Sequence, residues 1–165
     1  MRFKKVILLT FILFIAVVPI NLCLGTTNVS NHEIVVTISI NNAYYYAADD
    51  DGIENDVAAE FSLDVYRNKF HNKRCSVSFY LLVALYLPSG YGYGYLFLVT
   101  CTGDVYAEPV ARFFNHATES GIYCVEMTCI LPCGPNCAYI GTESYCFDPP
   151  GGSDGTDPLT CTIEL

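Results

Sequence analysis

The chain has no tryptophan, two methionines and three histidines, and its eight Lys and Arg residues face 17 Asp and Glu. Each shortage excludes something. Without tryptophan the core cannot be built on a buried indole. His32, His71 and His116 fall in separate segments, and no H-E-x-x-H, serine elbow or paired-glycine nucleotide loop accompanies them, so the common catalytic and nucleotide-binding constellations are missing. His116 with Asn115 and Glu119 is the one cluster where a catalytic histidine could be sought; the competing reading is a turn histidine satisfied by nearby backbone. The shortage of positive charge excludes nucleic acid as a partner, because phosphate recognition depends on Lys and Arg. Helical periodicity is also absent, and past the first 25 residues no apolar run is long enough to span a bilayer.

That one apolar run has the layout of an export leader. Arg2, Lys4 and Lys5 precede an apolar stretch from Val6 to Val18, followed by Pro19 and a short polar exit, with Cys23 and Gly25 supplying the small groups that cleavage after Gly25 requires. A retained anchor is the alternative, although Pro19 and Asn21 interrupt the run near its end. Leu22 before Cys23 excludes a bacterial lipidation box. Cleavage divides the chain into a signal peptide at 1–25, a body at 26–147 and a Gly/Pro/Asp-rich tail at 148–165, and it leaves the mature protein with five Lys or Arg and a formal charge of −12. A secreted or cell-surface location follows.

The body reads as alternating apolar and polar positions, the mark of half-buried strands. Ile34, Val36, Ile38 and Ile40 share one face, as do Val57, Ala59, Phe61, Leu63 and Val65. Further strands are expected from Ser76 to Leu87, Tyr93 to Cys101, Val105 to Phe114, Gly121 to Leu131 and Ala138 to Phe147. Pro109 removes a ladder donor and belongs at a sheet edge or a bulge. About seven short strands separated by turns predict an all-β fold, a single antiparallel β-sandwich, in an up-and-down arrangement.

Export into oxidising surroundings makes the eight cysteines after Gly25 a disulfide framework. A hairpin centred on Pro135 puts Cys133 opposite Cys137 and Cys124 opposite Cys146, and opposed residues sit roughly 4.5 to 5.5 Å apart at Cα, within reach of a disulfide. The hairpin around Ser89 and Gly90 brings Cys75 and Cys101 together at its open end, leaving Cys129 to pair with Cys161 and pin the tail. Zinc ligation by the stretch CILPCGPNC, Cys129 to Cys137, is the alternative, with three-residue gaps uncommon for zinc knuckles.

The segment Phe113 to Cys129, FFNHATESGIYCVEMTC, carries an acidic-x-Gly-x-Tyr pattern in Glu119, Gly121 and Tyr123. It resembles the turn and penultimate strand of immunoglobulin-like secreted and surface domains. The resemblance implies an Ig-like sandwich in which Tyr123 is a tyrosine corner, its hydroxyl bonding back to upstream backbone. Cys124 is adjacent to that tyrosine, not two positions after it, and no cysteine lies in the second strand, so the antibody disulfide does not carry over. The layout of the DDDGIENDV loop, the NHATESG turn and the FDPPGGSDGTDP tail also resembles small uncharacterised exported archaeal proteins, which implies an address and no activity.

Three surface features are candidates for binding. Asp49, Asp51 and Asp56, with Gly52, partly match the D-x-D-G-x-x-x-D loops that hold calcium; a solvated turn is the other reading. Arg67, Lys69, Lys73 and Arg74 cluster after the second strand, at the opposite end from the acids, which gives a charge polarity suited to end-to-end self-association or to no more than a solvated loop. The run YGYGY, Tyr91 to Tyr95, and the trio Tyr44, Tyr45 and Tyr46 offer rigid amphipathic rings to a glycan or protein, or else cover a sheet. Asn28-Val29-Ser30 is a glycosylation sequon. The expectation is a non-enzymatic, disulfide-stapled structural or adhesion-like binding module at the cell surface, calcium-stabilised, with a protein or glycan partner. A cysteine-rich secreted inhibitor or effector is the alternative, and an extracellular hydrolase the more distant one.

Overall fold

Two long alternating segments start the fold. In the computed structural model, which describes residues 10–11, 34–47, 53–67, 76–131, 138–148 and 158–165, strand β2 (Ile34–Tyr46) pairs antiparallel with β3 (Asp56–Arg67). Val57, Ala59, Phe61, Leu63 and Val65 of β3 all turn inward and are buried. In β2 a bulge between Ile40 and Asn42 shifts the register, so the inward residues change from Val36, Ile38 and Ile40 to Ala43. The shift explains why alternation read from Ile34 stops at Asn41 while the strand continues to Tyr46. It also turns Tyr44 and Tyr46 outward.

The remaining strands are β1 (Thr10–Phe11), β4 (Ser76–Tyr86), β5 (Gly92–Thr102), β6 (Val105–Ala107), β7 (Val110–Phe114), β8 (Tyr123–Leu131), β9 (Ala138–Phe147) and β10 (Thr160–Glu164). They form two antiparallel sheets. The first has the order β1-β5-β4-β8-β9, and the second β10-β7-β3-β2, with β6 also on β3. The chain lays down hairpins β2–β3, β4–β5 and β8–β9 and changes sheet between them, so an up-and-down course gives way to crossings from sheet to sheet. Crossing lets both inner faces bury their apolar rows against each other. Phe61 and Phe113 from one sheet meet Phe79, Phe97 and Tyr123 from the other in a single core. Gly141 of β9 lies close to β2: a Cβ there would be 3.5 Å from the Val36 carbonyl oxygen.

Local chemistry sets the breaks. Gly90 takes φ +87° in the β4–β5 turn, where Gly90 N–H donates to the Leu87 carbonyl at 2.9 Å. Pro109 separates β6 from β7 and sits at a break in the ladder rather than a sheet edge, its carbonyl accepting from Phe61 N–H at 3.1 Å. The last residues of the tail, beyond its Gly/Pro/Asp-rich stretch, add a strand that the sequence reading did not include: β10 pairs with β7 from Thr160↔Phe114 to Glu164↔Val110, because Cys161 and Ile163 alternate with Thr160, Thr162 and Glu164.

Apart from β1, the expected leader lies outside the described residues, as do the Asn28 sequon, Asp49, Asp50, Asp51, the basic residues Lys69, Lys73 and Arg74, and Cys75, Cys133 and Cys137.

Candidate functional site

Asp56, the one described residue of the expected calcium set, opens β3 and is fully buried. Its Oδ1 accepts the Asn115 N–H at 2.7 Å. Asn115 turns the chain at the end of β7 with φ +63°, a conformation asparagine tolerates better than most residues. Its side-chain oxygen accepts from Asn55 Nδ2 at 2.8 Å, and the Asn55 carbonyl accepts from Ala117 N–H at 2.7 Å. These bonds tie the start of β3 to the β7–β8 corner, so the acidic loop ends in a buried polar knot rather than in open solvent. Asn55 Oδ1 is buried in this knot without a hydrogen-bond partner, a costly state for an amide oxygen. No three His, Cys, Asp or Glu side chains among the described residues are placed to hold a metal.

His116 follows in the same corner and is fully buried. The Phe114 carbonyl, 2.6 Å from Nδ1, can only accept, so Nδ1 carries the proton and Nε2 accepts from the Tyr95 hydroxyl at 2.7 Å. The ring stands edge-on to Tyr93 at 4.8 Å between centroids. Burial disfavours the imidazolium and pushes the pKa down to about 4. Both nitrogens are engaged in structure. Glu119 is directed elsewhere: its carboxylate accepts from Ser89 N–H and Ser89 Oγ, both at 2.8 Å, and clasps the β4–β5 turn. The three residues of the sequence-derived catalytic cluster therefore do not converge.

Tyr123 makes the corner bond. Its hydroxyl donates to the Glu119 carbonyl and accepts from the Glu119 N–H, each at 2.8 Å, while its ring is fully buried. The YGYGY run is not a free tip. Tyr93 and Tyr95 pack onto His116, leaving only Tyr91 of the three widely exposed, and Gly92 lies against the Tyr86 ring, which a Cβ would meet at 2.9 Å.

Cys124 and Cys146 are joined across β8 and β9, with Cα atoms 4.0 Å apart, on the outer face of the first sheet. The register about Pro135 persists to Cys129↔Gly141 and then shifts at a bulge before Ile130. Full pairing of the cysteines does not occur. Cys101, Cys129 and Cys161 are buried free thiols, which corrects the expected Cys129–Cys161 link and leaves Cys101 unbridged opposite Val77. The reason is topological. Cys129 points into the core from β8, beside β9, whereas Cys161 is on β10 at the far edge of the other sheet from β2, near the Tyr95 hydroxyl. Desolvation raises all three thiol pKa values, that of Cys129 to about 12, so none is a ready nucleophile.

The exposed chemistry gathers on the outer face of the second sheet, where sequence reading registered only the tyrosine trio. Tyr44 donates to Glu60 at 3.1 Å, Tyr106 donates to Glu108 at 2.7 Å, and Asn41 and Ser62 exchange hydrogen bonds at 2.8 and 3.2 Å. Arg112 donates to the Tyr46 hydroxyl at 2.6 Å, with its guanidinium carbon 5.6 Å from that ring's centroid. Its Nε lies 3.0 Å from Glu164, without the alignment of a hydrogen bond. The phase shift at Ile40/Asn42 and the β6–β3 pairing created this face, and neither is visible as a motif. Comparison with protein-family models, with curated proteins and with solved structures finds no match.

Proposed function

We propose that this chain is an exported β-sandwich of immunoglobulin-like type, acting at the cell surface as a structural or adhesion-like binding module. The observation that carries the reading is the Cys124–Cys146 link: Cys146 is exposed, and disulfides persist in oxidising compartments and are rare in the cytosol. The Ig-like type is supported by the strand order, with β2, β3 and β7 facing β5, β4, β8 and β9, and by the Tyr123 bond four residues upstream at the corner where such domains keep it. The disulfide departs from the antibody pattern because it joins neighbouring strands of one sheet. The partner is a protein or a glycan. Calcium is the proposed stabiliser of the β2–β3 connection, since the buried Asn55 Oδ1 is an oxygen of the kind calcium takes, next to Asp56 and three further Asp in sequence.

Cell fractionation with non-reducing peptide mapping tests the module. Recovery outside the cell, cut after Gly25 and with Cys124 linked to Cys146, is the expected result; an intracellular protein with both thiols reduced overturns it. A melting temperature that is the same in millimolar calcium and in chelator removes calcium.

A further inference from the structure

We infer that the outer face of the second sheet is a docking surface for an extended, arginine-bearing polypeptide segment. The inference rests on the binding-module reading and names its partner. The face already holds one guanidinium: Arg112 lies over Tyr46, bonds its hydroxyl at 2.6 Å and meets Glu164 at 3.0 Å. The same two groups recur twice nearby, as Tyr44 with Glu60 and Tyr106 with Glu108, and Arg112 is the only Lys or Arg whose side chain is described. Tyr44 and Tyr106 are exposed, the latter at 65%.

Each tyrosine is already pinned by its carboxylate, so little side-chain entropy remains to be lost on binding. A guanidinium stacks on such a ring while its N–H fork reaches the carboxylate, a match the compact ammonium of lysine makes less well. Spacing sets the shape of the partner. Glu60 and Asp64 both face outward from β3, and Asp64 sits directly opposite Tyr106. Glu60 and Asp64 stand four positions apart along the strand, about 13 Å. An extended segment repeats its side-chain direction every second residue, so arginines four positions apart fall over the two notches together. The acidic mature chain supplies the long-range attraction.

The test titrates the full mature chain with the synthetic peptide Ser-Arg-Ser-Thr-Ser-Arg-Ser, its double-lysine version and its double-glutamate version, read by calorimetry at low and physiological salt. Expected is saturable binding of the arginine peptide that survives physiological salt and is about fivefold tighter than the lysine peptide. Tyr44→Ala with Tyr106→Ala weakens it by about tenfold. Because these variants could disturb the sheet, Glu60→Gln and Glu108→Gln, which keep the side-chain shape, are measured beside them and weaken binding with an unchanged melting temperature. Glu126→Gln, on the outer face of the other sheet, leaves binding as it was. No binding, equal affinity for lysine, complete loss at physiological salt, or an equal effect of Glu126→Gln overturns the proposal. If peptides fail to bind while the protein is exported and disulfide-linked, only the docking assignment falls; an intracellular, reduced protein removes the module reading itself.

Discussion

At the residue scale, buried polar side chains fasten the loops. His116 is the clearest case, because its neutral form alone suits its surroundings. In the unfolded chain a histidine titrates near its ordinary 6.5, whereas folding lowers the pKa of His116 to about 4. Between those values the unfolded state binds the proton and the folded state does not, so stability is complete above about pH 6.5 and falls as pH drops towards 4. The loss attributable to His116 is roughly 3 kcal/mol, and urea titrations at pH 7.5, 6, 5 and 4 should show it. In His116→Phe that histidine component of the slope should vanish; an unchanged slope would refute the assignment. Tyr123 is a second fastening. Tyr123→Phe keeps the buried ring but strips the Glu119 amide and carbonyl of their partner, with an expected cost of about 1 to 3 kcal/mol by chemical denaturation. The resemblance in the Glu119 to Tyr123 stretch foretold this bond. Nothing local foretold that Glu119 would also clasp Ser89, 30 positions away.

At the element scale, the disulfide and β10 are the two additions to a plain sandwich. The Cys124–Cys146 link closes a loop of 22 residues, and replacing both with serine should cost about 3 kcal/mol, measured as a lower urea midpoint with an intact fold. Little change would mean that the β8–β9 ladder alone holds the hairpin. β10 covers the edge of β7 and seats Cys161 beside Tyr95. Ending the chain at Pro158 uncovers the β7 edge, so the truncated protein should melt at a lower temperature and self-associate on size-exclusion chromatography. Wild-type behaviour of the truncation would show that β10 adds nothing to the sheet. The pairing of Cys124 with Cys146 could be read from hairpin symmetry because the register is intact there, and the bulge after Cys129 shows where that symmetry ends.

At the scale of the whole molecule, two sheets enclose one apolar core rich in aromatic rings, and three thiols are buried inside it. Cys101, Cys129 and Cys161 should resist iodoacetamide in the native protein and react together once urea unfolds it, read by mass spectrometry; rapid native labelling of any one would contradict its burial. The counting argument that paired every cysteine failed here because parity says nothing of position: Cys129 lies on β8 beside β9, whereas Cys161 lies on β10, at the edge of the other sheet beyond β7. The recurring alternation determined by itself that the chain would be all-β, and along β3 it also determined which residues would be buried, since a period of two places the apolar residues of a strand on one face. Spacing also determined the Cys124–Cys146 pair, a local matter of one hairpin. Only the tertiary structure decided that the strands cross between sheets, that the tail closes an edge, that Asp56 and His116 are buried and hydrogen-bonded at the β7–β8 corner, and that Tyr44, Glu60, Tyr106 and Glu108 share one exposed face. Those outcomes depend on contacts between residues far apart in sequence and on bulges that reset the alternation, and a one-dimensional pattern carries neither.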